Sequence, residues 1–137
     1  MKAKKESMLK ILLIDDDEGM RRWTSHFLNR AGHETSTAAD GQPGIELALK
    51  IRFDLIITDI IMPEKEGLET IMELRQEHPE IPIVAMSGGG HMSSSDILGM
   101  ARSFGAIATL HKPFSGQLLL ETIENIMGSN SDFLEEK

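Results

Sequence analysis

The sequence predicts a single α/β domain built on a doubly wound, five-stranded parallel sheet. Two observations support this fold class. Short apolar runs alternate with amphipathic stretches along the chain, and the apolar runs are continuous rather than alternating with polar residues. Continuous apolar strands are typical of parallel sheets that are buried on both faces. Because parallel strands are joined by right-handed crossovers, repeated β-α units place helices on both faces of such a sheet.

Five segments are predicted to be strands because they are short, rich in β-branched residues and leucine, or bounded by Asp, Pro or Gly. They are Lys10–Ile14, the weaker Glu34–Ala38, 54–58, 82–86 and 106–110. Apolar residues at helical spacing predict a helix after each strand. Gly32 and Gly105 follow the first and fourth helices, as glycines at helix C-termini do. The segment 93–96 supplies serine and aspartate N-cap candidates for the fourth helix.

Composition excludes several classes of function. Fourteen basic and twenty-two acidic residues give a net charge of −8, which argues against a domain that binds nucleic acid or membrane lipid through phosphate charge. The absence of cysteine excludes disulfides, thiol catalysis and zinc–thiolate sites. The apolar run at 11–14 is too short for a signal sequence or a membrane span, so we expect a cytoplasmic protein. We expect a flexible N-terminus over 1–8, one folded domain over 9–127 and a flexible tail over 128–137.

Polar residues follow four of the predicted strands. Asp15 and Asp16 come directly after the first strand, the third strand ends at Asp59 and the fourth at Ser87, and the fifth ends near Lys112. In doubly wound folds the reactive crevice lies at the carboxyl ends of the strands, so we expect these side chains to converge there. Taken singly, most of these residues have a plainer interpretation, such as a turn residue or a solvated lysine. Their combination at the carboxyl ends of the strands favours a functional site.

The expected cluster has a specific chemistry. Carboxylates about 5 Å apart repel by about 3 kcal/mol per pair at an effective dielectric constant near 20, which a hard divalent cation such as Mg²⁺ relieves. A carboxylate beside Mg²⁺ can attack phosphorus and become an aspartyl phosphate. Lys112 and Ser87 would hold phosphoryl oxygens, and the small Gly88 would leave the pocket open. Asp17 and Glu18, in contrast, are expected to cap the following helix.

Four sequence blocks, LLIDDDEGMRR, DLIITDIIMPEKEG, IVAMSGGG and TLHKPF, resemble the signature blocks of the receiver domain of bacterial two-component response regulators. The resemblance covers residues 10–127 and implies the flavodoxin-like receiver fold of a stand-alone, chemotaxis-regulator-like protein. It also implies that Asp59 is the phosphoacceptor, that Asp15 and Asp16 place Mg²⁺ together with Asp59 and the backbone carbonyl of Ile61, and that Lys112 precedes a cis proline bond and binds the phosphoryl group.

The same resemblance implies a signalling role rather than an enzymatic one, in which the domain assists its own phosphorylation and dephosphorylation. A sensor histidine kinase or phosphotransfer protein would be the donor, and a downstream protein would respond. Two positions depart from the family pattern. Ser87 and Thr109 are the switch positions, and Thr109 replaces the usual aromatic residue. Instead of a ring flip, the signal would therefore travel through the helix over 93–104 and its glycine-rich approach. Ile61 could not orient an attacking water, so we expect slow self-dephosphorylation.

Two alternatives stay open at this stage. The first is a haloacid-dehalogenase-like phosphatase, whose Asp-x-Asp motif the segment 15–17 could imitate, with Asp15 as the nucleophile. Against it, Gly19 occupies a position where that motif carries Thr or Val, and Asp59 would have no role. The second alternative is a binding module that kept the receiver fold and lost the chemistry. That module would lack Asp59, the acidic pair or Lys112, and none of these is missing.

Overall fold

The structure, a computed structural model, describes residues 8–60, 67–88 and 94–135. Within these ranges, strands and helices alternate along the chain. The strands are β1 (Lys10–Ile14), β2 (Glu34–Ala38), β3 (Leu55–Asp59), β4 (Ile83–Ser87) and β5 (Ala108–His111). The helices are α1 (Glu18–Arg30), α2 (Gly41–Lys50), α3 (Gly67–Glu77), α4 (Ser94–Phe104) and α5 (Gly116–Glu135).

The strands form one five-stranded sheet in the order β2-β1-β3-β4-β5, and all neighbouring pairs are parallel. The predicted fold class is therefore confirmed. The strand order reverses at β1, which lies between β2 and β3 although it comes first in the chain. In doubly wound folds the binding crevice opens at such a reversal, outside the carboxyl ends of the strands.

Helices cover both faces of the sheet, as continuous apolar strands predicted. In β1, Ile11 and Leu13 pack into a cluster with residues of α1 and α5, whereas Leu12 and Ile14 pack into a cluster with residues of α2, α3 and α4. All four side chains are fully buried. Burying a side chain of this size stabilises the fold by about 1.5–3 kcal/mol, so β1 anchors both layers.

Helix ends follow the predicted signals. Gly32 and Gly105 have φ values of 101° and 129°, which L side chains rarely adopt. Helix α4 begins at Ser94, within the run of N-cap candidates. Helix α5 continues to Glu135, through most of the segment that was expected to be a tail. Ser and Asn cost only a fraction of about 0.7 kcal/mol each in a helix, so a polar sequence can extend one.

The boundaries of the later strands differ from the prediction by one or two residues. Strand β3 begins at Leu55, and the side chain of the preceding Asp54 accepts a hydrogen bond from the backbone N–H of Lys10 at 2.8 Å. Strand β4 begins after Pro82, which has no N–H to donate. Within the described ranges, no helix combines the length and apolar composition needed to cross a membrane.

Candidate functional site

The carboxyl ends of β1 and β3 bring three carboxylates together. These strands are direct neighbours in the sheet, so the residues at their ends meet at one edge. Carboxylate oxygens of Asp15, Asp16 and Asp59 all lie within 4.8 Å of one another. Asp15 and Asp59 are 1% and 5% exposed, whereas Asp16 faces solvent. The cluster is therefore a largely buried negative centre with one open side.

Lys112, which follows β5, places its ammonium group against this centre. Its Nζ lies 3.0 Å from Oδ2 of Asp15 and 3.5 Å from Oδ2 of Asp59. Burial by itself lowers the pKa of Lys112, but the charge of Asp59 and the hydrogen bond to Asp15 outweigh it, so the pKa lies above its ordinary value. The lysine therefore stays charged and offsets one of the three carboxylates.

The loop after β1 is held by its own hydrogen bonds. The backbone N–H of Asp15 donates to the carbonyl of Ala38 at 3.1 Å, and that of Asp17 donates to Oδ1 of Asp15 at 3.0 Å. Asp17 is the N-cap of α1, and its Oδ1 accepts from the N–H of Met20 at 3.2 Å. The interpretation of Asp17 as a cap is thus confirmed, and the cap fixes where the loop enters the helix.

Ser87 ends β4 and is fully buried. Its hydroxyl has no hydrogen-bond partner among the described residues, while its carbonyl accepts from the backbone N–H of Lys112 at 2.7 Å. Buried hydroxyls nearly always have partners, so an unpaired one beside a charged crevice is suited to a ligand oxygen. Thr109 pairs with Ala85, two residues before Ser87, and therefore belongs to the same face of the sheet as Ser87.

Two glycines shape this edge of the sheet. A Cβ at Gly67, the first residue of α3, would overlap Cα of Ile60 and lie 2.6 Å from the carbonyl oxygen of Asp59. A Cβ at Gly88 would lie 3.1 Å from Cδ of Lys112. Gly88 therefore makes room for the lysine stem, in addition to its expected role in keeping the pocket open. Sequence reasoning missed Gly67, although its block ends in that glycine.

Some of the remaining predicted features lie within the residues that the structure describes, and others lie outside them. The peptide bond between Lys112 and Pro113 is cis, as the resemblance implied. Ile61 lies outside the described residues, as do the glycines and serine of 89–93. Arg21, to which the sequence analysis gave no role, donates from Nη1 to the carbonyl oxygen of Asp15 at 2.8 Å.

The donor set fits a hard divalent cation. All three side chains are carboxylates, the oxygen ligands that Mg²⁺ prefers, and Asp16 leaves one side accessible to water and phosphate oxygens. Because Lys112 offsets only one negative charge, the centre retains a net negative charge that such a cation would neutralise. The same edge of the sheet holds a cation and an unpartnered hydroxyl, which are suited to phosphoryl oxygens.

A family model described as "Response regulator receiver domain" matches residues 11–124, most of the chain. The chain belongs to this family. The receiver domain is homologous to response regulators and has a phosphoacceptor signalling role, which confirms the family, fold and general function predicted above.

Curated relatives of this receiver domain are longer proteins. It is 33% identical over 122 residues to the transcriptional regulatory protein RprY of Bacteroides fragilis, covering 89% of this chain and 50% of the relative. It is 36% identical over 121 residues to CpxR of Klebsiella pneumoniae, covering 88% of this chain and 50% of the relative. The chain thus spans about half the length of the curated relatives it matches.

Solved structures show the same fold. The chemotaxis response regulator CheY4 of Vibrio cholerae has a TM-score of 0.78 and 34% identity, covering 88% of this chain and 99% of that one. NtrX from Brucella abortus has a TM-score of 0.84 and 28% identity, covering 93% of this chain but 28% of that one. The receiver domain is therefore similar both to a short regulator and to part of a longer one.

Proposed function

We propose that Asp59 accepts a phosphoryl group from a phosphohistidine on a sensor histidine kinase or phosphotransfer protein, in a Mg²⁺-dependent reaction in the cytoplasm. The observation that carries this proposal is the Lys112 ammonium 3.5 Å from Oδ2 of Asp59, together with a buried Ser87 hydroxyl at the end of the adjacent strand β4 that has no partner among the described residues. A carboxylate oxygen of Asp59 attacks phosphorus, the phosphorus–nitrogen bond breaks, and the imidazole leaves with its electron pair. The product is an acyl phosphate.

The other residues act on the charge of the transferred group. Lys112 neutralises charge on the phosphoryl oxygens, and the Ser87 hydroxyl donates to one of them. Asp15, Asp16 and Asp59, with the backbone carbonyl of Ile61, would hold Mg²⁺, which supplies further charge neutralisation when bound. Because Asp59 is only 5% exposed, bulk water has little access to the attacking oxygen. The domain thereby assists its own phosphorylation.

The geometry favours Asp59 over Asp15 as the nucleophile. Lys112 Nζ donates to Oδ2 of Asp15 at 3.0 Å. The corresponding Lys112 contact to Asp59 is longer, at 3.5 Å. An oxygen that accepts a short, charge-assisted bond is a poorer nucleophile, which counts against the phosphatase alternative.

We propose that phosphorylation switches contacts with a downstream protein, because the net charge of −8 disfavours direct binding of this chain to DNA. The Ser87 hydroxyl, drawn to the phosphoryl group, would carry the change to the face of the sheet that also holds Thr109 and contacts α4. Ile61 cannot hydrogen-bond a water, so the phosphorylated form should decay slowly. Ile61→Asn should shorten its lifetime, whereas a wild-type lifetime of seconds that the substitution leaves unchanged would contradict this.

Intact-mass spectrometry after incubation with acetyl phosphate and Mg²⁺ tests the acceptor. We expect one phosphoryl adduct in the wild type and in the matched control Asp54→Asn, which changes the aspartate at the other end of β3. Asp59→Asn should abolish the adduct. An adduct that depends on Asp15 and not on Asp59 would favour the phosphatase, and no adduct from acetyl phosphate or a phosphorylated kinase domain would favour the binding module.

A further inference from the structure

Asp15 takes part in four hydrogen bonds at the site. Its N–H donates to the carbonyl of Ala38, and its two carboxylate oxygens accept from the N–H of Asp17 and from Lys112 Nζ. Its carbonyl oxygen accepts from Nη1 of Arg21 at 2.8 Å. Only two of these four partners are side chains, and Lys112 already has a role toward the phosphoryl group. Arg21 is the one without an assigned role.

The hydrogen bond from Arg21 to the Asp15 carbonyl indicates what Arg21 does at the site. A half-buried guanidinium beside a group of carboxylates would be expected to pair with one of them, yet among the described residues this one donates to a main-chain carbonyl. That carbonyl belongs to the peptide unit that joins Asp15 to Asp16. Because a peptide unit is planar, fixing its oxygen also fixes the direction in which the chain enters Asp16. The exposed side chain of Asp16 is thus directed through its backbone.

We propose that Arg21 is a positioning residue for the Mg²⁺ site, where it holds the peptide between Asp15 and Asp16 so that the Asp16 carboxylate faces those of Asp15 and Asp59. This proposal rests on the proposed function, since it assumes that these carboxylates bind the ion. Groups that orient metal ligands are typically worth about 10–100-fold in metal affinity. Arg21 would therefore act on the ion without touching it.

Because Arg21 is positively charged, the direction in which Mg²⁺ affinity changes when it is replaced tests the proposal. A positive charge close to a divalent cation repels it, so charge alone predicts that removing Arg21 tightens Mg²⁺ binding. Positioning predicts the opposite, that binding weakens. Arg22 is a matched control on the next residue of α1, because it has the same charge but is exposed and pairs only loosely with Glu18, at 3.9 Å.

Isothermal titration calorimetry with MgCl₂ would measure the affinity of the wild type, Arg21→Met, Arg21→Lys and Arg22→Met, with circular dichroism to verify folding. We expect about tenfold weaker Mg²⁺ binding in Arg21→Met, an intermediate loss in Arg21→Lys and no loss in Arg22→Met. With acetyl phosphate, Arg21→Met should need more Mg²⁺ for half-maximal phosphorylation while its rate at saturating Mg²⁺ stays near that of the wild type.

Equal or tighter Mg²⁺ binding in Arg21→Met would overturn the proposal, as would an equal loss in Arg22→Met. If Arg21→Met does not fold, Arg21→Lys decides, because its charge is that of the wild type and unchanged affinity would then contradict positioning. Absence of Mg²⁺ binding in the wild type would instead refute the metal site of the proposed function. The two failures are therefore distinguishable.

Discussion

The two ends of the parallel sheet carry similar polar residues but use them differently. At the amino ends of the strands, polar side chains satisfy the main chain: Oδ2 of Asp54 accepts from the N–H of Lys10 at 2.8 Å, and Nδ1 of His33 accepts from the N–H of Leu9 at 3.1 Å. Each of these side chains completes a backbone hydrogen bond that the sheet itself leaves open. Polar residues at this end therefore stabilise the fold.

At the carboxyl ends, polar side chains also face one another, in addition to the hydrogen bond that Oδ1 of Asp15 accepts from the N–H of Asp17. Three carboxylates lie within 4.8 Å with Lys112 against two of them, and the Ser87 hydroxyl has no partner among the described residues. Such an arrangement carries repulsion and an unmet hydrogen bond in the absence of a ligand, and binding relieves both. The comparison indicates that polar residues satisfy the main chain at one end of the sheet, whereas the candidate site at the other end carries a cost in stability.

The largest expected effect tests whether the Lys112 ammonium at the carboxyl ends of the strands contributes to phosphorylation. Lys112→Met should slow phosphorylation by acetyl phosphate about a hundredfold or more, because one preorganised charge on the transferred group is lost. Time courses of the adduct by mass spectrometry measure the rate. The matched control is Lys50→Met, on an exposed lysine at the end of α2, and a rate for Lys112→Met that equals this control would contradict the comparison.

The second prediction concerns stability at the carboxyl end. Without Mg²⁺, Asp16→Asn should raise the free energy of unfolding, because it removes repulsion among the carboxylates. In the wild type, Mg²⁺ at ten times its Kd should add about 1.4 kcal/mol, and Asp16→Asn should lose most of this gain. Urea unfolding in EDTA and in MgCl₂ measures both. Identical wild-type curves in the two solutions would show that the carboxylates do not bind the ion.

At the amino end of the sheet, removing an aspartate should lower the free energy of unfolding instead of raising it. Asp54→Ala should lower the free energy of unfolding by about 1 kcal/mol, because the N–H of Lys10 loses its acceptor, and should leave the phosphorylation rate unchanged. Asp54→Asn keeps an acceptor oxygen and should lose less. Urea unfolding and the phosphorylation time course together check this prediction. A slower reaction in Asp54→Ala would mean that the two ends are coupled.

The smallest expected effect is a pH dependence at the amino end. Burial lowers the pKa of His33 below its ordinary value of 6.5, so between the two values the unfolded chain binds more protons than the folded one. Stability should therefore be complete above pH 6.5 and fall as the pH falls toward the pKa of the folded state. His33→Asn keeps an acceptor for Leu9 and should give a flatter profile of urea midpoint against pH. If the urea midpoints of the wild type and His33→Asn changed equally with pH, the pH dependence would not come from His33.

Asp54 and Asp59 show what the sequence could and could not predict. Both flank the same apolar run, and the alternation of strands and helices along the chain, the glycines at helix ends and the convergence of strand ends all follow from local patterns. The prediction ended the strand at Asp59, as the structure does, but started it at Asp54, whereas the structure starts it at Leu55. The partner of Asp54 is Lys10, forty-four residues away, and no local pattern contains that contact.

Arg21 was missed for a related reason. Arg21 and Arg22 are adjacent and identical in type, and only the three-dimensional path of the loop places one against the carbonyl of Asp15 and leaves the other exposed. The extension of α5 to Glu135 was missed because small and polar residues are read as a tail, although their helical cost is slight. Residue type and spacing thus predicted which residues lie at the ends of the strands better than they predicted the contacts between residues of different elements.

The close approach of Gly67 to the backbone of Asp59 and Ile60 has a consequence for mutational scans of this domain. Gly67 carries no reactive group, but a single methyl group there would overlap Cα of Ile60, and the neighbour is backbone that cannot rotate away. At Gly116, in contrast, the three atoms nearest to an added Cβ belong to the ring of Phe27, which is a side chain and not backbone. A survey of tolerated substitutions would therefore rank position 67 with the acceptor aspartate, and intolerance alone would misidentify a spacer as a reactive residue.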